Sequence, residues 1–310
     1  MVKIAIAGGA GGVGSSLAFN LLLAREGDEV VLIDPREALV ESHVMDLEQL
    51  LELEPGSTVR GGDLDDAVDA DVLVISAGVP NRQTTSRGVY LVDNGRIVDE
   101  IAGAVPAGRS RIAIVVTNPV DPLVVRFRER TGMDRRRVLG YTVNDSLRLR
   151  TGISERLGVS AASVDAWSLG EHGDGHVPVF SRVAVGGEPA ILTARDQDGA
   201  EAFLDGWFRR HVALDADRTS TWTSGRGVSR MIAALRNGSR ERWPASIVLD
   251  GEYGIHGVAV SVPVRLGPGG AEEIEEWKLE PREQAGLEEA AGLVRSAVET
   301  LEGALVGERR

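Results

Sequence analysis

The chain has no cysteine among its 310 residues. That absence excludes a disulfide framework, a thiolate metal site and a thiol nucleophile. Lysine is almost missing too: it stands only at Lys3 and Lys278, and the rest of the 34 basic residues are arginine. Positive charge as a whole is short, since 47 acids bring the formal net charge to -13. Nucleic acid and anionic membranes are therefore excluded as expected partners, because either needs a basic face. An acid excess with so little lysine points to a salt-rich habitat or a GC-rich genome. No apolar run approaches bilayer-spanning length, and the opening "MVKIAIAGG" lacks a basic lead, an apolar signal core and a small-residue cleavage site. The expectation is a soluble cytoplasmic protein.

What is present is enough apolar material for a large core, with 43% hydrophobic residues. The length exceeds the roughly 250 to 300 residues at which single cores stop growing, so two domains are expected. "VKIAIAGG", "EVVLID", "DVLVISAG" and "RIAIVVTNP" read as buried parallel strands. The helical stretches "GSSLAFNLLLARE" and "GVYLVDNGRIVDEIAGAV" fall between them. Such alternation means a parallel sheet with helices on both faces. Beyond about Tyr141 the pattern changes. Helical "SLRLRTGISERLG" and "GAEAFLDGWFRRHVALD" are interrupted by expected antiparallel strands, "SRVAVGGEPA" and "ASIVLDGEYGIHGVAVSVPVRLG". A terminal helix carries one apolar stripe through Leu287, Val294, Val298, Leu301 and Leu305. The expected class is α/β, with a doubly wound parallel sheet over residues 1–140 and an α+β domain over 141–310.

"GGAGGVG" lies between the first strand and the first helix, with Gly8, Gly11 and Gly14 at phosphate-cradle spacing. A dinucleotide's phosphates need backbone without a Cβ in the way and a helix N-terminus aimed at them. Asp34 ends the second strand, 20 residues after Gly14, where a carboxylate accepts hydrogen bonds from ribose hydroxyls and repels a 2'-phosphate. NAD is thus the expected cofactor and the fold of this half the Rossmann type. Arg36 lies close enough to keep NADP open.

Two of the five histidines sit in "GEHGDGHVP", at His172 and His176. Imidazole titrates near neutral pH, and a carboxylate beside one ring nitrogen fixes its tautomer and favours its charged form. In "NDSLRLR", Asp145 and Arg148 are three apart and share a helix face. Asp145 is a fitting partner for His172, and the Arg148 fork suits a carboxylate. Taken alone, the Asp145 and Arg148 spacing reads better as a surface ion pair.

"GGAGGVG", "TNPVD", "NDSLRLR" and "GEHGD...VPVF", with "SAG" followed by a loop and Arg87, occur in the order and spacing of the lactate/malate dehydrogenases. The chain resembles that family over nearly its whole length. "WTSGRGVSRM", "GEYG" and "EEIEEW" look most like malate-dehydrogenase-type members of halophilic archaea. The resemblance implies an NAD-dependent dehydrogenase of L-2-hydroxy acids. His172 then matches the proton donor and acceptor, Asp145 its carboxylate partner, and Arg148 the binder of the substrate carboxylate. Arg87 matches the residue that polarises the C2 oxygen, in a segment resembling a mobile loop. Asn118 matches a position at the nicotinamide and the substrate oxygen, and His176 a rim or structural residue. The relatives' dimers and tetramers imply an oligomer, with a homotetramer expected here.

Substrate choice turns on "SAGVPNRQTTSR". Malate-type relatives carry arginine six residues before the loop arginine, and lactate-type relatives carry glutamine. Counting back from Arg87 without gaps gives Asn81, a neutral amide. An unpaired second carboxylate in a closed site costs several kcal/mol, so this count favours pyruvate and L-lactate. A one-residue shift instead brings in Arg82 and restores malate chemistry. The loop also lacks the Pro-Gly usual in malate-type relatives. Two further classes share such a nucleotide domain: NAD-dependent glycosidases, opposed by the lack of cysteine for their cysteine and histidine metal site, and a catalytically silent NAD-binding protein, opposed by the complete proton-transfer and carboxylate-binding set.

Overall fold

The computed structural model describes residues 2–79, 87–105, 111–215 and 220–307. Asn81 and Arg82 lie outside the described residues, as does the side chain of Arg87.

The first half builds strand by strand with helices between: β1 (Lys3–Ala7), α1 (Gly12–Ala24), β2 (Glu29–Ile33), α2 (Glu37–Leu53), β3 (Thr58–Gly62) and β4 (Val72–Ile75). There follow α3 (Arg87–Ala104), β5 (Ile112–Val115), α4 (Val120–Thr131) and β6 (Val138–Tyr141). These strands pair in parallel in the order β3-β2-β1-β4-β5-β6. That order reverses direction beside β1, and the crevice at the carboxyl ends of β1 and β4 is where such a sheet takes a dinucleotide.

Burial explains the apolar runs. In β1, Ile4 and Ile6 pack into one core, and Ala5 and Ala7 into a second. The first core holds α1 side chains such as Leu17 and Leu21, and the second those of α4, such as Leu123 and Phe127. Each fully buried isoleucine or leucine contributes about 1.5 to 3 kcal/mol relative to exposure.

The second half continues with α5 (Val143–Leu157), β7 (Val164–Asp165), β8 (Ser168–Gly170), β9 (His176–Pro178), β10 (Ala184–Val185) and β11 (Glu188–Pro189). Then come α6 (Ala194–Ala213), α7 (Thr221–Asn237), β12 (Arg242–Asp250), β13 (His256–Gly267), β14 (Gly270–Ile274) and α8 (Pro281–Gly307). The long apolar segment expected as antiparallel strands forms the β12–β13 hairpin, with an irregularity between Val248 and Asp250. "SRVAVGGEPA" supplies only the short β10–β11 ladder, turned at Gly186 and Gly187. The α8 stripe is internal: Leu287, Val294, Leu301 and Leu305 are all buried.

The two halves share one sheet. β6 pairs in parallel with β5 on one side and antiparallel with β12 on the other. The boundary expected between residues 140 and 141 therefore falls within β6. Among the described residues no helix is long and apolar enough to cross a membrane.

Candidate active site and nucleotide cleft

The glycine turn after β1 is shaped by close backbone approach. Gly8 has φ +84°, and a Cβ there would stand 2.5 Å from the Ala77 nitrogen. A Cβ on Gly14 would collide with the Gly8 carbonyl oxygen. Side chains at these two positions would fill the turn itself. Gly11 is the residue before α1, and no side chain among the described residues caps that helix. The turn thus presents uncapped N–H groups and the positive end of the helix dipole, as a pyrophosphate requires.

Asp34, just past β2, points into the same turn. The Ala10 N–H donates to its Oδ2 at 3.3 Å, and Arg36 donates from Nε and Nη2 to its two oxygens at 2.8 and 2.9 Å. Burial pushes the Asp34 carboxyl up, but the Arg36 side chain and backbone N–H more than offset this and leave it below the ordinary carboxylate value. Arg36 itself is largely exposed. The nearby arginine noted in the sequence is thus an ion-pair partner of Asp34.

The expected proton-transfer group is built from two elements. Asp145 and Arg148 stand on α5, and His172 in the loop between β8 and β9. His172 Nδ1 lies 2.5 Å from Asp145 Oδ2. Arg148 Nη1 donates to the other oxygen, Oδ1, at 2.9 Å. One carboxylate therefore orients both cations, and the pair expected from the sequence is brought together. All three side chains are nearly buried, at 10% exposure for Asp145, 13% for His172 and 17% for Arg148.

Electrostatics follow from that burial. Burial alone lowers the His172 pKa, but the Asp145 charge and hydrogen bond reverse the effect, helped by Asp121, and hold it above the usual imidazole value. Asp145 is pushed up by burial, then drawn below its ordinary value by His172 and Arg148. Burial also lowers Arg148, partly offset by Asp145. The arrangement favours imidazolium next to carboxylate.

Several contributors were not read from the sequence. The Arg148 guanidinium lies 4.0 Å above the Trp207 ring of α6, and its Nη2 donates to Ser220 Oγ at 3.2 Å. Trp207 in turn stacks on His211 at 5.1 Å. Asn144 is locked between Tyr141 and Ser224 by hydrogen bonds of 3.1 and 2.9 Å. The His172 backbone N–H donates to Asp121 Oδ2 at 2.6 Å. Asp121 belongs to the quoted "TNPVD", the only signal that pointed to it.

Asn118 is exposed just after β5, and its carbonyl accepts from Asn94 Nδ2 at 2.6 Å. His176 is turned to structural use: Nδ1 lies 2.7 Å from the Gly173 carbonyl and Nε2 lies 2.8 Å from Asp205. Among the described residues there is no group of three or more histidine or acidic side chains that could hold a metal.

The profile of the lactate/malate dehydrogenase NAD-binding domain matches residues 2–140, and that of the family's α/β C-terminal domain matches residues 142–303. The chain belongs to the lactate/malate dehydrogenase family. It is therefore an oxidoreductase whose cofactor is NAD, and the cradle of Gly8 and Gly14 with uncapped α1 fits that group. Malate dehydrogenase of Halobacterium salinarum is 36% identical, over 94% of this chain and 96% of that one. L-lactate dehydrogenase of Mesoplasma florum is 32% identical, over 91% and 92%. The solved lactate dehydrogenase of Cryptosporidium parvum, complexed with lactic acid and nicotinamide adenine dinucleotide, superposes with TM-score 0.90 at 29% identity, covering 97% of this chain and 98% of that one.

Proposed function

We propose that the protein interconverts an L-2-hydroxy acid and its 2-oxo acid, with L-lactate and pyruvate as the favoured pair. The observation that carries the reading is the shared Asp145 carboxylate, 2.5 Å from the His172 ring and 2.9 Å from Arg148. Residues 1–140 serve as the nucleotide unit and 141–310 as the substrate unit.

Hydride transfer at the substrate C2, in either direction, is the chemistry that bound NAD would supply. The protein's residues do the rest. His172 Nε2, the ring nitrogen opposite the Asp145 bond, takes the hydroxyl proton in oxidation and gives it back in reduction. Asp145 fixes the tautomer and stabilises the charged ring. Arg148 has five N–H donors, of which Asp145 and Ser220 engage two, and its fork takes the substrate carboxylate. Trp207 beneath the guanidinium holds its plane, which limits the entropy lost on binding. Arg87 meets the negative charge developing on the C2 oxygen, Asn118 lies at the nicotinamide and that oxygen, and Asp34 takes the ribose hydroxyls.

Pyruvate is favoured because the gapless count sets Asn81, not a cation, opposite any second carboxylate. A malate reading has two supports: Arg82 is adjacent, and the relative from Halobacterium salinarum is named a malate dehydrogenase. The deciding experiment is steady-state NADH oxidation with pyruvate and with oxaloacetate, at low and high salt, on the wild type and on Asn81 and Arg82 variants. Pyruvate preference supports the proposal; an oxaloacetate preference abolished by Arg82→Ala overturns it.

A homotetramer working in a salt-rich cytoplasm completes the reading. It is supported by the acidic, lysine-poor composition and by exposed Phe19 and Leu23 of α1, Met45 of α2 and Trp222 of α7. α1 packs against both other helices, and these exposed apolar side chains form the proposed subunit contact.

A further inference from the structure

The carboxyl of Asp34 is all but sealed, with its side chain 3% exposed. Arg36 donates to it three times, from its backbone N–H at 3.1 Å, Nε at 2.8 Å and Nη2 at 2.9 Å, and the Ala10 N–H donates at 3.3 Å. A carboxylate has about four lone-pair sites, so none is left for a ribose hydroxyl while Arg36 stays in place. Arg36 itself is in the opposite state. Its side chain is 56% exposed, and among the described residues only Nε and Nη2 are engaged, which leaves both N–H groups of Nη1 and one of Nη2 over. The guanidinium lies against the glycine turn, with Nη2 3.9 Å from where a Cβ on Gly11 would stand. An arginine fork that covers the acid of a nucleotide cleft and keeps its outer edge in water suits a phosphate carried on the ribose.

We propose that Arg36 fits the cleft for a second cofactor, NADPH, by neutralising Asp34 and offering the outer edge of its guanidinium to the 2'-phosphate. The inference goes beyond NAD and rests on the ribose reading of Asp34 given above. Two positions of one side chain serve the two dinucleotides. For NADH, the exposed Arg36 turns out into solvent and Asp34 takes the ribose hydroxyls. For NADPH, Arg36 stays on Asp34, cancels the charge that repels a 2'-phosphate, and donates to that phosphate with the N–H groups that Asp34 leaves over. Glu37, the acid in the first turn of α2, is exposed, so its repulsion of a phosphate is screened by solvent.

The test is equilibrium binding of NADH and of NADPH to the full chain, read by quenching of tryptophan fluorescence with no substrate present. The wild type binds NADPH within about tenfold of NADH. Arg36→Ala raises the NADPH Kd about three- to tenfold and does not raise the NADH Kd. Arg36→Lys keeps the charge but loses the fork, and its NADPH Kd falls between the two. Arg36 is a surface side chain, so both variants keep the fold. A wild type that binds NADPH more than about tenfold more weakly than NADH, or an Arg36→Ala variant whose ratio of the two Kd values is unmoved, overturns the inference. Asp34→Asn checks the ribose reading separately: its NADH Kd rises at least about threefold. An unmoved NADH Kd in that variant faults the ribose reading itself and takes the inference with it. Binding needs no turnover, so each result stands apart from the 2-oxo acid chemistry.

Discussion

Replacing Asp145 by asparagine changes one atom and sets two requirements against each other. The native carboxylate serves His172 Nδ1 at 2.5 Å with one oxygen and Arg148 Nη1 at 2.9 Å with the other. Asparagine offers a single acceptor, so its NH2 must face one of those donors. Either the histidine loses its tautomer and orientation, or the arginine loses its anchor. Removing one partner of a buried charge pair costs about 3 to 5 kcal/mol, and the slight exposure of this group argues for the lower end. At roughly 1.4 kcal/mol per tenfold, about 3 kcal/mol is about a 100-fold loss in kcat/KM. The His172 pKa, held above its usual value mainly by the Asp145 charge, also drops. Reduction needs the protonated ring, so its rate falls as pH rises through that pKa, and the limb moves to lower pH in the variant. The assay is stopped-flow and steady-state NADH oxidation across pH, with NADH affinity from fluorescence as the folding control. A variant within about threefold of wild type, with an unmoved pH limb, refutes the reasoning.

Arg148→Lys keeps the charge but loses the planar fork over Trp207; about 2 to 3 kcal/mol of carboxylate binding disappears, raising KM for the 2-oxo acid roughly 30- to 150-fold in steady-state assays. Arg36→Ala releases Asp34 from its ion pair, and because Arg36 is exposed the effect is small: the preference for NADH over NADPH, measured as a ratio of kcat/KM, rises about three- to tenfold. Thermal stability checks the linkage. The His172 pKa is raised on folding, so its contribution is full below the unfolded value of about 6.5 and lost as pH rises through the folded value; Asp145 is lowered, so its contribution is present above about 3.9 and lost as pH falls. Melting curves of His172→Gln should therefore fall furthest below wild type between about pH 4 and 6.5 and converge at alkaline pH.

The parallel half of the sheet was legible because its strands are buried on both faces and read as unbroken apolar runs, as in Ile4 to Ala7 and Val72 to Ile75. α4 was not, for the related reason that it is buried nearly all round. Val120, Asp121, Pro122, Leu123, Val124, Val125 and Phe127 are all internal, so no stripe marks the period. α2 hides in the opposite way, with only Val40 and Leu47 buried along it. At the site, His172, Asp145 and Arg148 could be grouped because their chemistry is complementary. Trp207 under Arg148 could not, since tertiary packing of α6 on α5 alone brings them together. The Asp121 contact was invisible because its partner is a backbone N–H, which leaves no mark in side-chain patterns.

The account stands or falls on His172 as the proton carrier for an NAD-dependent 2-hydroxy acid dehydrogenase. Its most direct test is NADH oxidation by wild type and His172→Gln with pyruvate and oxaloacetate, alongside NADH binding. The account predicts wild-type turnover of at least one acid, a loss of about 100- to 10,000-fold in the variant, and unchanged NADH affinity. A His172→Gln enzyme that turns over at the wild-type rate, or a wild type that binds NADH yet reduces neither acid, contradicts it.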